Sequence, residues 1–369
     1  MLGKILATAG CSLIIFLSLA RLATAQDSAT RMDEVVQSYV DARQFMGSVL
    51  VARGDTILFS KAYGSANLEW SIPNTTDTKF RIGSVTKQFT AAAVLLLEER
   101  GKLEIDESVK KYYPDAPDPW DKITLFHLLT HTSGIPSYTA LPEFKSLNTL
   151  RTTPDDLVRR FRDRPLEFAP GEKMRYSNSG YVLLGAIIEK VTGVTYAKFV
   201  EDNIFTPLGM KDSGYDSTSA IIAHRAAGYE PRPDGPANAP YLDLTIPYAA
   251  GALYSTVEDL LRWEQALFRG KVLSEASMKK MTTPARNNYA LGLVVRKQAG
   301  RNLIEHGGSI NGFSSQLLYY PDSAVTIVAL SNLHAPAAER IVKKLGALVH
   351  DEAYAPRRAP GRTGCSPEQ

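Results

Sequence analysis

The feature that most constrains the fold is the placement of β-forming sequence at the two ends of the chain. Gly47-Ser48-Val49-Leu50-Val51-Ala52 and Thr56-Ile57-Leu58-Phe59-Ser60-Lys61-Ala62 flank Arg53-Gly54-Asp55, a short glycine-containing connection of the hairpin type. Far down the chain, Tyr289 to Val295, Leu303 to Glu305, Ser315 to Tyr320 and Val325 to Leu330 read as strands, separated by turn-like stretches such as Gln298-Ala299-Gly300-Arg301-Asn302 and Pro321-Asp322. The sequence between the two ends carries helical signals. Thr153-Pro154-Asp155-Asp156 supplies an N-cap with proline at the first helical position, and Tyr181 to Val191 stops before Gly193. Ser255-Thr256-Val257-Glu258 has the capping-box pattern, leading into Leu260, Leu261, Trp263 and Leu267 before Gly270. Met32, Val35, Val36, Tyr39 and Val40 recur at helical spacing within Met32 to Phe45, and Ala335 to Val349 reads as a terminal helix. Residues 226–247, rich in Pro, Gly, Asp and Asn, read as a long surface loop. The expected fold class is α/β (α+β): an antiparallel sheet formed from both chain ends, flanked by helices, with a mostly helical inserted region. The expected boundaries are one unit over 26–354, with the sheet region at about 30–83 and 285–350 and the helical region at about 84–284.

The first 25 residues stand outside this scheme. Lys4, a mainly apolar run from Ile5 to Ala20, and Ala23-Thr24-Ala25 before Gln26 have the layout of a secretory signal peptide. The apolar run contains Thr8, Gly10 and Ser12 and is short for a membrane span, so no stable transmembrane anchor is expected, and cleavage near Ala25 implies export to the periplasm or beyond. Losing Lys4 and Arg21 reduces 42 basic residues to 40 against 39 acidic ones, a balance with no basic block to hold nucleic acid. Of the two cysteines, Cys11 lies in the signal and Cys365 in the tail 355–369, expected to be flexible, so the mature chain forms no internal disulfide and no Cys-rich zinc site.

Three short motifs carry chemistry. Ser84-Val85-Thr86-Lys87 precedes the apolar stretch Phe89 to Leu97, and a helix beginning at Ser84 puts Lys87 on the same face. A serine hydroxyl is a weak nucleophile that needs a neighbour to take its proton, and a neutral lysine serves. The helix start also offers the Ser84 N–H to a developing oxyanion. The bland reading is a capped helix with a solvated lysine. Tyr176-Ser177-Asn178 pairs a phenol that can relay a proton with an amide that can orient a substrate, or is simply a turn. His306-Gly307-Gly308-Ser309 follows a strand. Its glycines permit close backbone approach and the Ser309 N–H can complete an oxyanion hole, the alternative being a bulge or turn. No G-x-S-x-G elbow accompanies His306.

Taken in order, Ser84-x-x-Lys87, Tyr176-x-Asn178 and His306-Gly307-Gly308 resemble the motifs of the serine β-lactamase and DD-peptidase superfamily. The closer likeness is to the class C-like branch with Y-x-N at the second motif, which contains class C β-lactamases, secreted DD-carboxypeptidases and β-lactamase-like esterases. Ile123-Thr124-Leu125, Leu128-Leu129-Thr130-His131-Thr132-Ser133-Gly134, Pro170-Gly171 and Pro207-Leu208-Gly209-Met210 share the family's wording, so the resemblance runs roughly from Val35 to Val349. It implies Ser84 as acylated nucleophile, Lys87 as its proton partner and Tyr176 as the group exchanging protons with Ser84 and the leaving atom. Asn178 would hold the substrate, with His306, Gly307 and Gly308 beside it, and the N–H groups of Ser84 and Ser309 would form the oxyanion hole. His306 and Gly307 stand where many β-lactamases carry lysine and threonine, which removes a fixed cation and fits esters and other peptides as well.

The other histidines have weaker claims. His127 and His131 have i, i+4 spacing without an H-E-x-x-H pattern and read as structural, while His224, His334 and His350 are isolated. Asp155 and Asp156 suit a helix start. No cofactor and no metal are implied. The resemblance thus implies an exported serine hydrolase cleaving an amide or ester through an acyl-enzyme on Ser84. D-Ala-D-Ala carboxypeptidase activity ranks first, carboxylesterase second and β-lactamase third, with a penicillin-recognising binding protein of little turnover as the non-enzyme alternative. Its partners are a small peptide, ester or β-lactam and no nucleic acid.

Overall fold

Strand pairing across the whole chain sets the architecture. The computed structural model describes residues 28–350; the expected signal peptide with Cys11, its cleavage site, and the tail 355–369 with Cys365 lie outside the described residues. The main sheet is antiparallel, its strands numbered here in chain order: β1 Gly47–Arg53, β2 Thr56–Tyr63, β3 Val294–Gln298, β4 Arg301–Ile310, β5 Phe313–Tyr320 and β6 Val325–Ser331. Their spatial order is β3-β4-β5-β6-β1-β2. β1 meets β6 from Gly47 opposite Ser331 to Arg53 opposite Val325, which joins the two chain ends as the sequence predicts.

Five long helices complete the layers: α1 (28–41), α2 Thr86–Glu99, α3 Asn178–Thr192, α4 Val257–Phe268 and α5 Ala337–Val349. β1 and β6 are buried along almost their whole length because both faces are covered, which is why they read as continuous apolar runs. Val49, Val51, Val325, Ile327 and Ala329 pack with Met32 and Val36 of α1 and Ile341, Val342 and Leu345 of α5. The alternate residues Leu50, Ala52, Val328 and Leu330 join the larger core containing Phe89 and Val94 of α2 and Trp263 of α4. Each such fully buried Val, Leu or Ile contributes about 1.5–3 kcal/mol. α2 is buried from Thr86 to Leu97 and is the central helix of that core. No described helix is long and apolar enough to cross a membrane.

Several local expectations shift. The stretch 289–295 is not a strand until Val294, because Asn287 and Asn288 take left-handed backbone angles and the Ala290 N–H turns back to the Leu293 carbonyl at 2.7 Å. The strand expected over Leu303 to Glu305 runs on to Ile310, so the His306 motif lies inside it. Thr256, not Ser255, caps α4 by accepting from the Asp259 N–H, since Ser255 belongs to the short strand Leu253–Ser255 and its hydroxyl meets Ser213 at 2.7 Å. α1 ends at residue 41, before Arg43 with its φ of 55°, rather than reaching Phe45. The 226–247 loop contains a pair of short strands, Tyr229–Glu230 and Ala237–Asn238. The end of β6 ties it down: the Tyr229 N–H donates to the Asn332 carbonyl (2.9 Å) and the His334 N–H to the Tyr229 carbonyl (2.8 Å).

Candidate active site

A 3-10 turn, Gly83–Val85, leads directly into α2 and carries Ser84, so the serine precedes the helix by two residues rather than opening it. The turn's hydrogen bonds begin with the Val85 N–H donating to the Ile82 carbonyl, which leaves the Ser84 N–H unused by the turn. Two glycines let this turn abut β4. Gly83 has φ +50° and a Cβ there would lie 2.8 Å from the Ser309 nitrogen; a Cβ at Gly308 would lie 2.0 Å from the Ile82 carbonyl oxygen.

The pairing of β4 explains why its second half is available. β3 pairs with β4 only as far as Glu305, whereas β5 pairs with it through Ile310 opposite Phe313. Beyond Glu305, β4 is therefore an edge. The Ile310–Phe313 pair closes a two-residue hairpin, so the ladder's alternation turns the N–H groups of Gly307 and Ser309 away from β5, off the sheet edge. The Ser84 and Ser309 N–H groups come from elements in contact and neither is consumed by its own element.

Lys87 is completely buried beneath Ser84. Its Nζ lies 3.0 Å from Ser84 Oγ, 2.9 Å from Asn178 Oδ1 and 2.8 Å from the Ala250 carbonyl. No carboxylate forms an ion pair with it among the described residues. Burial alone pushes its pKa well below 10.5. A neutral amine has two donors and one lone pair, which matches this shell: it donates to Asn178 and Ala250 and accepts the Ser84 hydroxyl proton. Asn178 opens α3 and is itself held by its Nδ2 on Thr139 Oγ1 at 3.1 Å, with its N–H on Ser137 Oγ at 3.1 Å.

Tyr176 lies over Lys87, with Nζ 4.9 Å from the ring centroid. The residue is 39 % exposed, yet desolvation of its phenol raises the pKa above 10, with the hydrogen bond to Ser84 pulling it down. His131, at φ +58°, supports this ring from behind, its centroid 4.2 Å away, and accepts the Ser177 N–H on Nδ1 at 3.2 Å. That acceptance puts the proton of the neutral ring on Nε2, which is buried and has no hydrogen-bond partner among the described residues. Burial, then the nearby Lys87 and His306, hold the His131 pKa well below 6.5. His306 is also buried and neutral: burial, then Lys87, lower its pKa to about 4. Its Nδ1 donates to the Gly307 carbonyl at 2.7 Å, leaving Nε2 to accept from the Tyr289 hydroxyl at 3.1 Å.

Two cavities open on either side of Ser84. The larger, about 500 Å³, runs over Gly307 and Gly308 between Tyr176, Gln316, His334 and the start of α5. The smaller, about 130 Å³, has a mixed wall in which Tyr138, Phe144, Leu242 and Ile246 stand beside Thr139, Asn178 and Asn311. Ser84 and Ser309 line both. The structure thus brings Ser84, Tyr176, His306, Gly307, Gly308 and Ser309 to one cavity, Asn178 to the other, and Lys87 beneath them.

Several neighbours escape sequence reasoning. His131 belongs to a stretch with family wording but reads as structural, and it is packed on Tyr176. His127 has a different place: it completes the capping box of its own short helix with Thr124. Tyr289 reads as strand and Glu230 as loop. His334, isolated in sequence, lies 2.7 Å by Nε2 from Ser309 Oγ and 2.9 Å by Nδ1 from Glu230 Oε2.

A sequence model of the Beta-lactamase family matches residues 32–351. The chain is 32% identical over 330 residues to penicillin-binding protein 4* of Bacillus subtilis (strain 168), covering 83% of this chain and 72% of that protein. It is similar in structure to a penicillin-binding protein from Bacillus halodurans, at TM-score 0.76 and 31% identity, over 85% of this chain and 98% of that one. A D-stereospecific amidohydrolase from Streptomyces sp. aligns at TM-score 0.74 and 29% identity, over 85% of this chain and 97% of the other.

Proposed function

The chain belongs to the beta-lactamase family, and from that premise we propose that it is an exported serine hydrolase whose Ser84 forms an acyl-enzyme with D-amino-acid-containing amide or peptide substrates. The observation that carries the proposal is the shell of Lys87. An enclosed amine, free of any carboxylate among the described residues, sits 3.0 Å from Ser84 Oγ with its two donors satisfied elsewhere. Lys87 takes the Ser84 proton as Oγ attacks the substrate carbonyl. The N–H groups of Ser84 and Ser309 hold the resulting oxyanion. Tyr176, kept protonated by its raised pKa, passes its phenol proton to the leaving atom and is reprotonated from Lys87. Asn178 fixes the Lys87 amine and borders the smaller cavity, whose size suits a compact acyl side chain such as that of alanine.

The larger cavity then receives the leaving group. Among the described residues it is lined by no lysine or arginine, and its His306 is neutral, so neither supplies a fixed cation for a free carboxylate on the leaving group. This favours amides and extended peptides over a terminal D-Ala within the D-alanyl class, with D-Ala-D-Ala carboxypeptidase cleavage, esters and β-lactams following. The similarity to a D-stereospecific amidohydrolase supports the stereochemical part. The residues before Gln26 support the export part.

Intact-protein mass spectrometry after treatment with a serine-reactive phosphonate tests the nucleophile: one adduct is expected on the wild type and none on Ser84→Ala. An unlabelled wild type, or equal labelling of the variant, overturns it. Parallel assays of D-alanine amide, a D-Ala-D-Ala peptide, a p-nitrophenyl ester and a chromogenic cephalosporin rank the substrate classes.

A further inference from the structure

Ser309 has a side chain as well as a backbone N–H, and that side chain heads a second proton line. It is exposed on the larger cavity, which Ser84 also lines. Its Oγ lies 2.7 Å from His334 Nε2, and His334 Nδ1 lies 3.0 and 2.9 Å from the two carboxylate oxygens of Glu230. Three separate segments supply the three residues: β4, the chain beyond β6, and the short strand Tyr229–Glu230. The assembly is braced at both ends. Glu230 Oε1 also accepts the Gly312 N–H at 3.1 Å, and the His334 N–H is tied to the Tyr229 carbonyl at 2.8 Å. A carboxylate only accepts, so in its neutral form the imidazole carries its proton on Nδ1 and presents the Nε2 lone pair to the Ser309 hydroxyl. A serine, a histidine base and a carboxylate orienter in line is the arrangement that activates an oxygen nucleophile.

Lys87 does not itself line the larger cavity: it is wholly buried under Ser84, bonded to Ser84, Asn178 and Ala250. Ser309 and His334, by contrast, stand on the open cavity through which water reaches an ester on Ser84. We propose that Ser309, His334 and Glu230 form the proton relay that activates the hydrolytic water in deacylation, a role that rests on the acyl-enzyme reading above. The water oxygen bonds to the acyl carbonyl carbon while its proton passes to Ser309 Oγ and the Ser309 proton passes to His334 Nε2. Glu230 stabilises the imidazolium. The tetrahedral adduct expels Ser84 Oγ, which takes the Tyr176 proton. The released carboxylic acid returns a proton to Tyr176, and the imidazolium loses its own to solvent. The net change is acyl ester plus water to carboxylate, free serine and one proton.

The test separates the two half-reactions. With a p-nitrophenyl ester, stopped-flow release of p-nitrophenol gives acylation as a burst and deacylation as the steady state. His334→Gln and Glu230→Gln are expected to keep the burst rate within about threefold and to slow the steady state by about 10²-fold or more. Mass spectrometry should then show acylated protein accumulating, and added hydroxylamine, which needs no base, should restore turnover. Equal slowing of burst and steady state would mean that His334 merely orients the Ser309 N–H, and it overturns the relay, as does an unchanged steady state. Absence of any acyl adduct in the wild type would instead overturn the Ser84 reading on which the relay rests.

Discussion

Replacing Lys87 by methionine should abolish turnover and at the same time change the way stability depends on pH. In the unfolded chain a lysine titrates near 10.5, whereas burial holds the folded Lys87 well below that value. Between the two pKa values the unfolded state binds one more proton than the native state at this position. Wild-type stability therefore gains about 1.4 kcal/mol per pH unit from Lys87 as pH rises through this window, and the gain ends near 10.5. Lys87→Met lacks the term and fills a similar volume without an amine to desolvate. The variant should be more stable than the wild type, with an advantage that shrinks as pH rises through that window towards 10.5. The raised phenols of Tyr181, Tyr196 and Tyr289 titrate in both proteins, so their contributions cancel in the difference. Urea denaturation followed by circular dichroism at half-unit steps measures it. A difference independent of pH would show that Lys87 stays charged in the folded protein, and a neutral-amine base would have to be abandoned.

Tyr176→Phe removes the proton donor but keeps the ring on His131; kcat should fall by about 10²–10⁴-fold with KM changed by less than threefold, and an unchanged kcat removes Tyr176 from the reaction. Gly308→Ala forces a methyl onto the Ile82 carbonyl, displacing β4 from the Ser84 turn, so acylation should slow by about 10²–10³-fold while the circular dichroism spectrum stays that of the wild type. Asp216 has no solvent exposure and bridges Arg81 (2.6 Å) and Arg225 (2.5 Å); Asp216→Asn should cost about 3–5 kcal/mol in urea denaturation by leaving two guanidinium groups without their counter-charge. At the edge of the site, His131→Asn should retain more activity than His131→Val, because asparagine tolerates the left-handed angle of +58° and a β-branched residue does not.

What the sequence discloses about this site follows from how each residue is positioned. Ser84 and Lys87 are separated by one turn, so local geometry suffices to bring them together. The glycines of His306-Gly307-Gly308 announce a close backbone approach, although they cannot say that Ile82 is what approaches. Tyr289 and Glu230 are a different matter. Ala290, Leu291 and Leu293 around Tyr289 are all buried, and an apolar run of that length reads as strand whether or not it pairs. The segment instead turns on Asn287 and Asn288, an arrangement that no hydrophobic period encodes. Glu230 gains its place only because the Tyr229 backbone is bonded to Asn332, 103 positions away in sequence. His334 follows from the same long-range contact, so the second proton line becomes visible only when both segments are folded together.

The charge state of the site offers a reason for two proton lines. Burial favours neutrality at Lys87, His131, His306, Tyr176 and Tyr289 alike, and these groups are packed within one cluster of ring and amine contacts. In such an environment a proton moved from Ser84 to Lys87 creates an ammonium beside an oxyanion, an attractive pair that needs no external charge and vanishes when the leaving group takes the proton. In the next step the attacking water enters from the larger cavity, which Lys87 does not line. The positive charge created in deacylation must therefore sit elsewhere, next to a fixed anion. Of the two histidines lining the larger cavity, His334 is the one paired to a carboxylate, Glu230, and the imidazolium it forms is stabilised where water enters. Acylation thus favours an uncharged interior, and deacylation favours an ion pair at its mouth.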